Sequence, residues 1–202
     1  MSLFKKLFGS KKSDVPNKNI EQRGKFMPEI KLPTDEKFTI NFKKNGGKFL
    51  YCESFNEIFE CFNSILDENQ WYKKNVFCID EKLEQKFNDF DINFSKSPAN
   101  SLFFLTTCEN LVADNGAILI SSNQIKEEKL QTLPDNFIVF ATTSQLVNSI
   151  GEGLRGIKNK NKNKIPTNIT TIKHFNVKEE EKDFLSYGTS AKNLYLLLLE
   201  DL

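Results

Sequence analysis

The residues best suited to chemistry fall in two short segments on either side of a polar link. The first is Ala113-Asp114-Asn115-Gly116, a turn signal where the chain must reverse into the apolar run Gly116–Ile120. A carboxylate held at a strand end can act as a general base or bind ligand hydroxyls, and Asp114 is placed to do either. Its plainer role is to close an Asx-turn ahead of Gly116. Asn115 and Gly116 join it as ligand-binding candidates, because a glycine lets backbone approach a ligand closely. The second segment is Thr142-Thr143-Ser144, directly after the run Asn136–Ala141. These hydroxyls can cap a helix expected over Gln145–Ile150, whose first N–H groups and positive dipole end would suit an anion. A small carboxylate or phosphate is therefore expected between the Asp114 turn and Thr143.

Other residues are weaker candidates. Glu109 is a second carboxylate, five positions before Asp114. If both flank one cleft, their repulsion raises one pKa and suits acid/base work; otherwise Glu109 opens a short surface helix. Cys108 becomes a nucleophile only where a cation or helix start stabilises its thiolate, and no histidine neighbours it in sequence. Gly188 and Thr189, with Ser190, precede the last apolar run and could meet a ligand through backbone. Cys52, Cys61, Cys78 and Cys108 form no C-x-x-C pair, and His174 is the only histidine. This reads as free thiols in a reducing cytoplasm, with no metal and no iron–sulfur cluster. No G-x-G-x-x-G or G-x-x-x-x-G-K-(S/T) motif is present, so no dinucleotide or other cofactor is expected.

The elements that must position these residues are legible as alternating runs. Lys37–Phe42 alternates as a strand does, Asn45-Gly46-Gly47 is a tight turn, and Lys48–Cys52 reads as the next strand. Ser54 and Glu57 make a capping box for a helix with an apolar stripe of Phe55, Ile58, Phe59, Phe62, Ile65 and Leu66. Strands are expected at Asn75–Ile79, Phe90–Phe94, Ser101–Thr106, Gly116–Ile120, Asn136–Ala141, Asn168–Lys173 and Asn193–Leu199. A short helix is expected at Asp80–Phe87, and a polar turn or short helix at Val177–Leu185. Gly151–Lys164 reads as a loop or helix end whose Arg155, Lys158, Lys160, Lys162 and Lys164 form either an anion clamp or a solvated helix terminus. No aromatic residue is interleaved there, so nucleic acid is not expected as a partner. The alternation implies an α/β fold: a three-layer sheet with covering helices.

With 202 residues the chain suits one domain and a tail. Residues 1–34 form the expected tail and linker, with eight Lys/Arg against three acids up to Leu32, and residues 35–202 the domain. Leu3, Phe4, Leu7 and Phe8 share a helical face, which is either a membrane-surface helix or part of a frayed basic tail; two turns favour the tail. No apolar run is long enough to span a bilayer, so no stable membrane insertion is expected.

The stretches LVADNGAILISS and FIVFATTSQLVNSI resemble the LUD domain of the lactate-utilisation protein B/C family. In that family an A-(D/E)-(T/N)-G turn precedes a strand, and a second strand leads to an S-Q-L-V-like segment. The resemblance spans Phe38 to Leu202 and is most specific from Cys108 to Ile150. It implies the fold shared by sugar-phosphate isomerases, glucosamine-phosphate deaminases and CoA transferases. It aligns Asp114 with the family's acidic turn residue. Two family motifs are altered. A G-P-S-(R/K)-T-A-D-I-E segment is replaced by TTIKHFN near Thr170, and a G-(V/A)-H-G-P segment by Gly188-Thr189-Ser190-Ala191. The resemblance implies an accessory or regulatory part in oxidising lactate to pyruvate, beside iron–sulfur subunits, through binding of a small anionic metabolite. Two alternatives stay open: an isomerase- or CoA-transferase-like enzyme with Asp114 as base, and a non-catalytic interaction protein with a decayed site.

Overall fold

Phe38, Ile40 and Phe42 fit a strand, but they lie in a helix, α1, Thr34–Lys44. Periods of two and of four both put Phe38 and Phe42 on one side, so Ile40 decides between them. It is 55% exposed, whereas the two phenylalanines are fully buried and stack at 5.3 Å. Asp35 and Glu36 in the first turn and Lys43 and Lys44 in the last complement the helix dipole. The structure, a computed structural model, describes residues 32–175 and 191–201, which lie in the unit Pro33–Leu202 but for Leu32. The basic tail, the segment Val177–Leu185 and the candidates Gly188 and Thr189 lie outside the described residues.

After the Asn45-Gly46-Gly47 turn comes β1, Lys48–Cys52, and then α2, Phe55–Asn69. The Ser54 hydroxyl accepts from the Glu57 N–H at 3.3 Å, and the Glu57 carboxylate accepts from the Glu53 N–H at 2.8 Å. Next are β2, Asn75–Phe77; α3, Glu81–Lys86, capped by Asp80; β3, Asn93–Ser95; and β4, Phe103–Thr106. β5, Asn110–Val112, is too short to show a period and so is invisible in the sequence. β6, Ala117–Ile120, α4, Ser122–Ile125, and β7, Asn136–Thr142, complete the central region.

The expected helix over Gln145–Ile150 does not form. A single 3-10 turn, Thr143–Gln145, is followed by β8, Leu146–Val147. The helix, α5, begins later and runs Ile150–Lys160. Ser149 caps it, accepting from the Glu152 N–H at 3.3 Å, while Glu152 accepts from the Asn148 N–H at 2.8 Å. Ser149 thus starts α5, whereas the Thr142–Gln145 box closes only the 3-10 turn, and Leu146 and Val147 pair with β5. Gly151–Lys160 is thus helix rather than loop, with exposed Lys158 and Lys160 at its carboxyl end. β9, Thr170–Ile172, and β10, Asn193–Leu199, close the described chain.

Six strands form a wholly parallel sheet in the order β1-β10-β7-β4-β2-β3, so their carboxyl ends share one edge. Such a sheet is buried on both faces, which is why β7 and β10 read as near-continuous apolar runs. On one face Ile58, Phe62, Ile65 and Leu66 of α2, with Leu83 and Phe87, pack on Phe103, Ile138, Tyr195 and Leu197. On the other face α1 covers the sheet, Phe42 meeting Phe49 edge-on at 6.4 Å. The architecture is three-layer α/β. A second, four-stranded sheet runs β8-β5-β6-β9, with β5–β6 and β6–β9 antiparallel. Two strands that look alike in sequence, β6 and β7, therefore belong to different sheets.

Candidate functional site

The parallel register builds one candidate site. Leu199 pairs with Thr142, so two residues further along Asp201 comes beside Ser144. Asp201 accepts from the Thr143 hydroxyl, the Ser144 N–H and the Ser144 hydroxyl, each at 2.8 Å. In return its own N–H donates to the Thr143 hydroxyl at 3.1 Å. Its slight desolvation raises the pKa, and the hydrogen bonds from Ser144, Thr143 and Thr142 outweigh this, lowering the carboxyl to about 2. The donors form a carboxylate holder, because N–H and hydroxyl bonds favour the charged form. The turn itself is fixed by Gln145. Its side-chain oxygen accepts from the Thr142 N–H at 2.8 Å, and its amide donates to the Cys108 carbonyl at 2.6 Å.

Glu109 lies toward the same end of the small sheet. It does not open a helix; its N–H donates to the Leu119 carbonyl at 2.8 Å as the chain enters β5. Its carboxylate accepts from the Ser121 hydroxyl at 2.6 Å and from the Asn123 amide at 2.8 Å. Ser121 is fully buried and caps α4, so this cluster fastens the end of β6. Cys108, between Glu109 and the sheet edge, is buried. Burial, and then the Glu109 charge, pushes its thiol well above the ordinary cysteine range, so it stays protonated. A protonated thiol is a poor nucleophile.

The Asp114 turn is the tip of the β5–β6 hairpin, and it faces α1. Lys37 Nζ pairs with Asp114 at 2.5 Å, and both side chains are nearly half exposed. Asn41 donates to the Ala113 carbonyl at 2.8 Å, and Asn45 to the Asn115 carbonyl at 2.7 Å. Asn115, not Asp114, closes the Asx-turn, accepting from the Ala117 N–H at 3.1 Å. Gly116 has φ +64, and a Cβ there would come within 2.4 Å of the Asn41 and Phe42 backbone. The close approach that demands glycine is therefore to a helix of the same chain.

The two sequence candidates thus meet different partners. Along the β5–β8 ladder Gln145 meets Cys108 at one end, and the Asp114 N–H meets the Asn148 carbonyl at the other. Glu109 and Asp114 likewise occupy opposite ends of β5. His174 follows β9 and is exposed. Thr142, Thr143 and Ser144 come together with Asp201, which sequence reasoning missed. The available signal was a carboxylate two residues past a buried strand, though only the register tells which turn it meets.

A pocket at the strand-end edge past β2 is lined by Phe77, Ile79, Lys96, Lys126, Glu127 and Glu128. Its two lysines are matched by two glutamates, so it offers no net cationic field for an anion. Among the described residues, no helix is long and apolar enough to cross a membrane.

These features define a class: an α/β protein with a parallel sheet whose strand-end edge carries a hydroxyl-rich turn holding a carboxylate. The chain belongs to the LUD domain family, which it matches over residues 36–183. It is similar in fold to a solved structure described as a DUF162 family protein from Deinococcus radiodurans. That likeness has 13% identity and a TM-score of 0.55, covering 85% of this chain and all of the other. No curated protein matches the chain in sequence.

Proposed function

We propose that this LUD-domain chain serves lactate utilisation as an accessory or regulatory component that binds a small anionic metabolite at the Thr142–Ser144 turn. The supporting observation is that this turn already holds a carboxylate, Asp201, with three donor contacts and a carboxyl lowered to about 2. A lactate- or pyruvate-sized carboxylate asks for the same donors and would take them in place of Asp201. Glu109 and its hydroxyl and amide partners would meet the neutral part of such a ligand. In this reading electron transfer belongs to iron–sulfur partner subunits. The enzyme reading has less behind it, because Asp114 is an exposed hairpin residue ion-paired to Lys37 of α1 and Cys108 is a protonated thiol.

The test is ligand-induced thermal stabilisation, since a ligand that binds only the native state raises the melting temperature. L-Lactate, pyruvate and a sugar phosphate should each be titrated against the wild type, Asp201→Ala and Ser144→Ala. At least one should stabilise the wild type, do so more in Asp201→Ala, and less in Ser144→Ala. No shift in any of the three proteins would leave the interaction-protein reading in its place.

A further inference from the structure

Cys52 ends β1 and Cys61 sits on the second turn of α2, which packs against that strand. Their sulfurs are 3.7 Å apart. Cys52 is fully buried, while Cys61 is half-buried at the edge of the core cluster. Nothing in the reading of the strand-end site uses either thiol. We propose that Cys52 and Cys61 form an oxidisable dithiol, a modification site that closes to a disulfide by exchange with a low-molecular-weight disulfide.

The order of events follows from exposure. Solvent-borne disulfide reaches Cys61, whose thiolate attacks one sulfur, forms a mixed disulfide and releases one small thiol. Cys52 then attacks the Cys61 sulfur, forms the internal disulfide and releases the second small thiol. Two protein thiols are oxidised and one small disulfide is reduced to two thiols, so atoms and electrons balance. Burial holds the Cys52 thiol above its ordinary range, with the Cys61 charge and hydrogen bond next among the causes. Capping Cys61 removes both of those contributions, while burial, the larger cause, remains. A disulfide has sulfurs at about 2.05 Å, so the pair must close by about 1.7 Å from its 3.7 Å separation. The other two cysteines have no such neighbour: both are buried, Cys78 donating to the Asp80 carbonyl and Cys108 accepting from the Gln145 amide.

The experiment uses the full chain and glutathione disulfide as the probe, with thiol counting and peptide mapping under native conditions. Two of the four free thiols should be lost, with Cys52 joined to Cys61 and the link reversed by dithiothreitol. Cys52→Ala should stop at a glutathione adduct on Cys61, and Cys61→Ala should leave Cys52 unmodified. A stable adduct on wild-type Cys61 without the link overturns the proposal. So does a disulfide involving Cys78 or Cys108, or an unchanged thiol count. The wild-type mapping decides the matter even where a cysteine variant fails to fold. It is also independent of ligand binding at Ser144.

Discussion

The hairpin tip Ala113–Gly116 and the turn Thr143–Gln145 are built from similar polar, turn-forming residues, yet they do opposite things. At the hairpin tip the partners are Lys37 and Asn41 of α1 and Asn45 at its carboxyl cap, with Gly116 pressed on the helix backbone. Its function is to dock the small sheet onto α1. At the 3-10 turn the donors converge on one carboxylate, Asp201. A cluster of unlike partners fastens two elements, whereas the donors at the turn are aimed at a single anion, the arrangement on which the ligand proposal rests. What separates a joint from a candidate site is the direction of the polar groups, not their number.

The difference can be broken most severely at the hairpin. Gly116→Val puts a branched side chain at φ +64 and drives its Cβ into the Asn41–Phe42 backbone. We expect a loss of about 3 kcal/mol or more, read from the urea midpoint at unchanged slope. A loss below about 1 kcal/mol would show that α1 can move away and that the tip is no joint.

A smaller effect is expected at the turn. The fold lowers the Asp201 carboxyl from 3.8 to about 2, so folding favours its ionised form. The stabilisation is complete above about pH 4 and is lost as pH falls through the folded value near 2. Asp201 is exposed, and solvent screening keeps this contribution below about 1 kcal/mol. Urea unfolding of wild type and Asp201→Asn should therefore differ at neutral pH and converge as the pH drops towards 2. A difference that persists unchanged in acid would mean that charge plays no part in the turn.

The smallest effect belongs to Asp114. Its pair with Lys37 is exposed, and such pairs contribute about 0.5 kcal/mol or less. Asp114→Asn should leave stability nearly unchanged and leave any carboxylate-induced melting shift as in the wild type. A shift abolished by this substitution would move the ligand site to the hairpin and return Asp114 to the role of base.

Local signals in the sequence were read correctly where a residue's partner lies within one helical turn. The Ser54 cap and the α2 stripe are of this kind, and the apolar runs of β7 and β10 were legible as buried strands. So was the reversal at Asn115-Gly116. The failures came where two local signals competed. Phe38 and Phe42 satisfied both strand and helix periods, and the Ser149 cap that starts α5 stood seven residues past Thr142, whose own box closes only a 3-10 turn. The family resemblance pointed to the right fold and to the segment that carries the candidate turn.

The sequence alone determined that the chain makes buried strands with covering helices, because apolar runs and caps act through neighbours a few residues away. Only the tertiary structure decided which polar turn meets which partner. β6 and β7 look alike but enter different sheets, which carries Asp114 to α1 and Thr143 to the strand-end edge. Thr143 and Asp201 are 58 positions apart, and nothing in either segment names the other. Their meeting depends on the Leu199–Thr142 register of two parallel strands. A register is a cooperative property of a whole sheet, set by how both faces pack at once, so it cannot be read from one strand at a time.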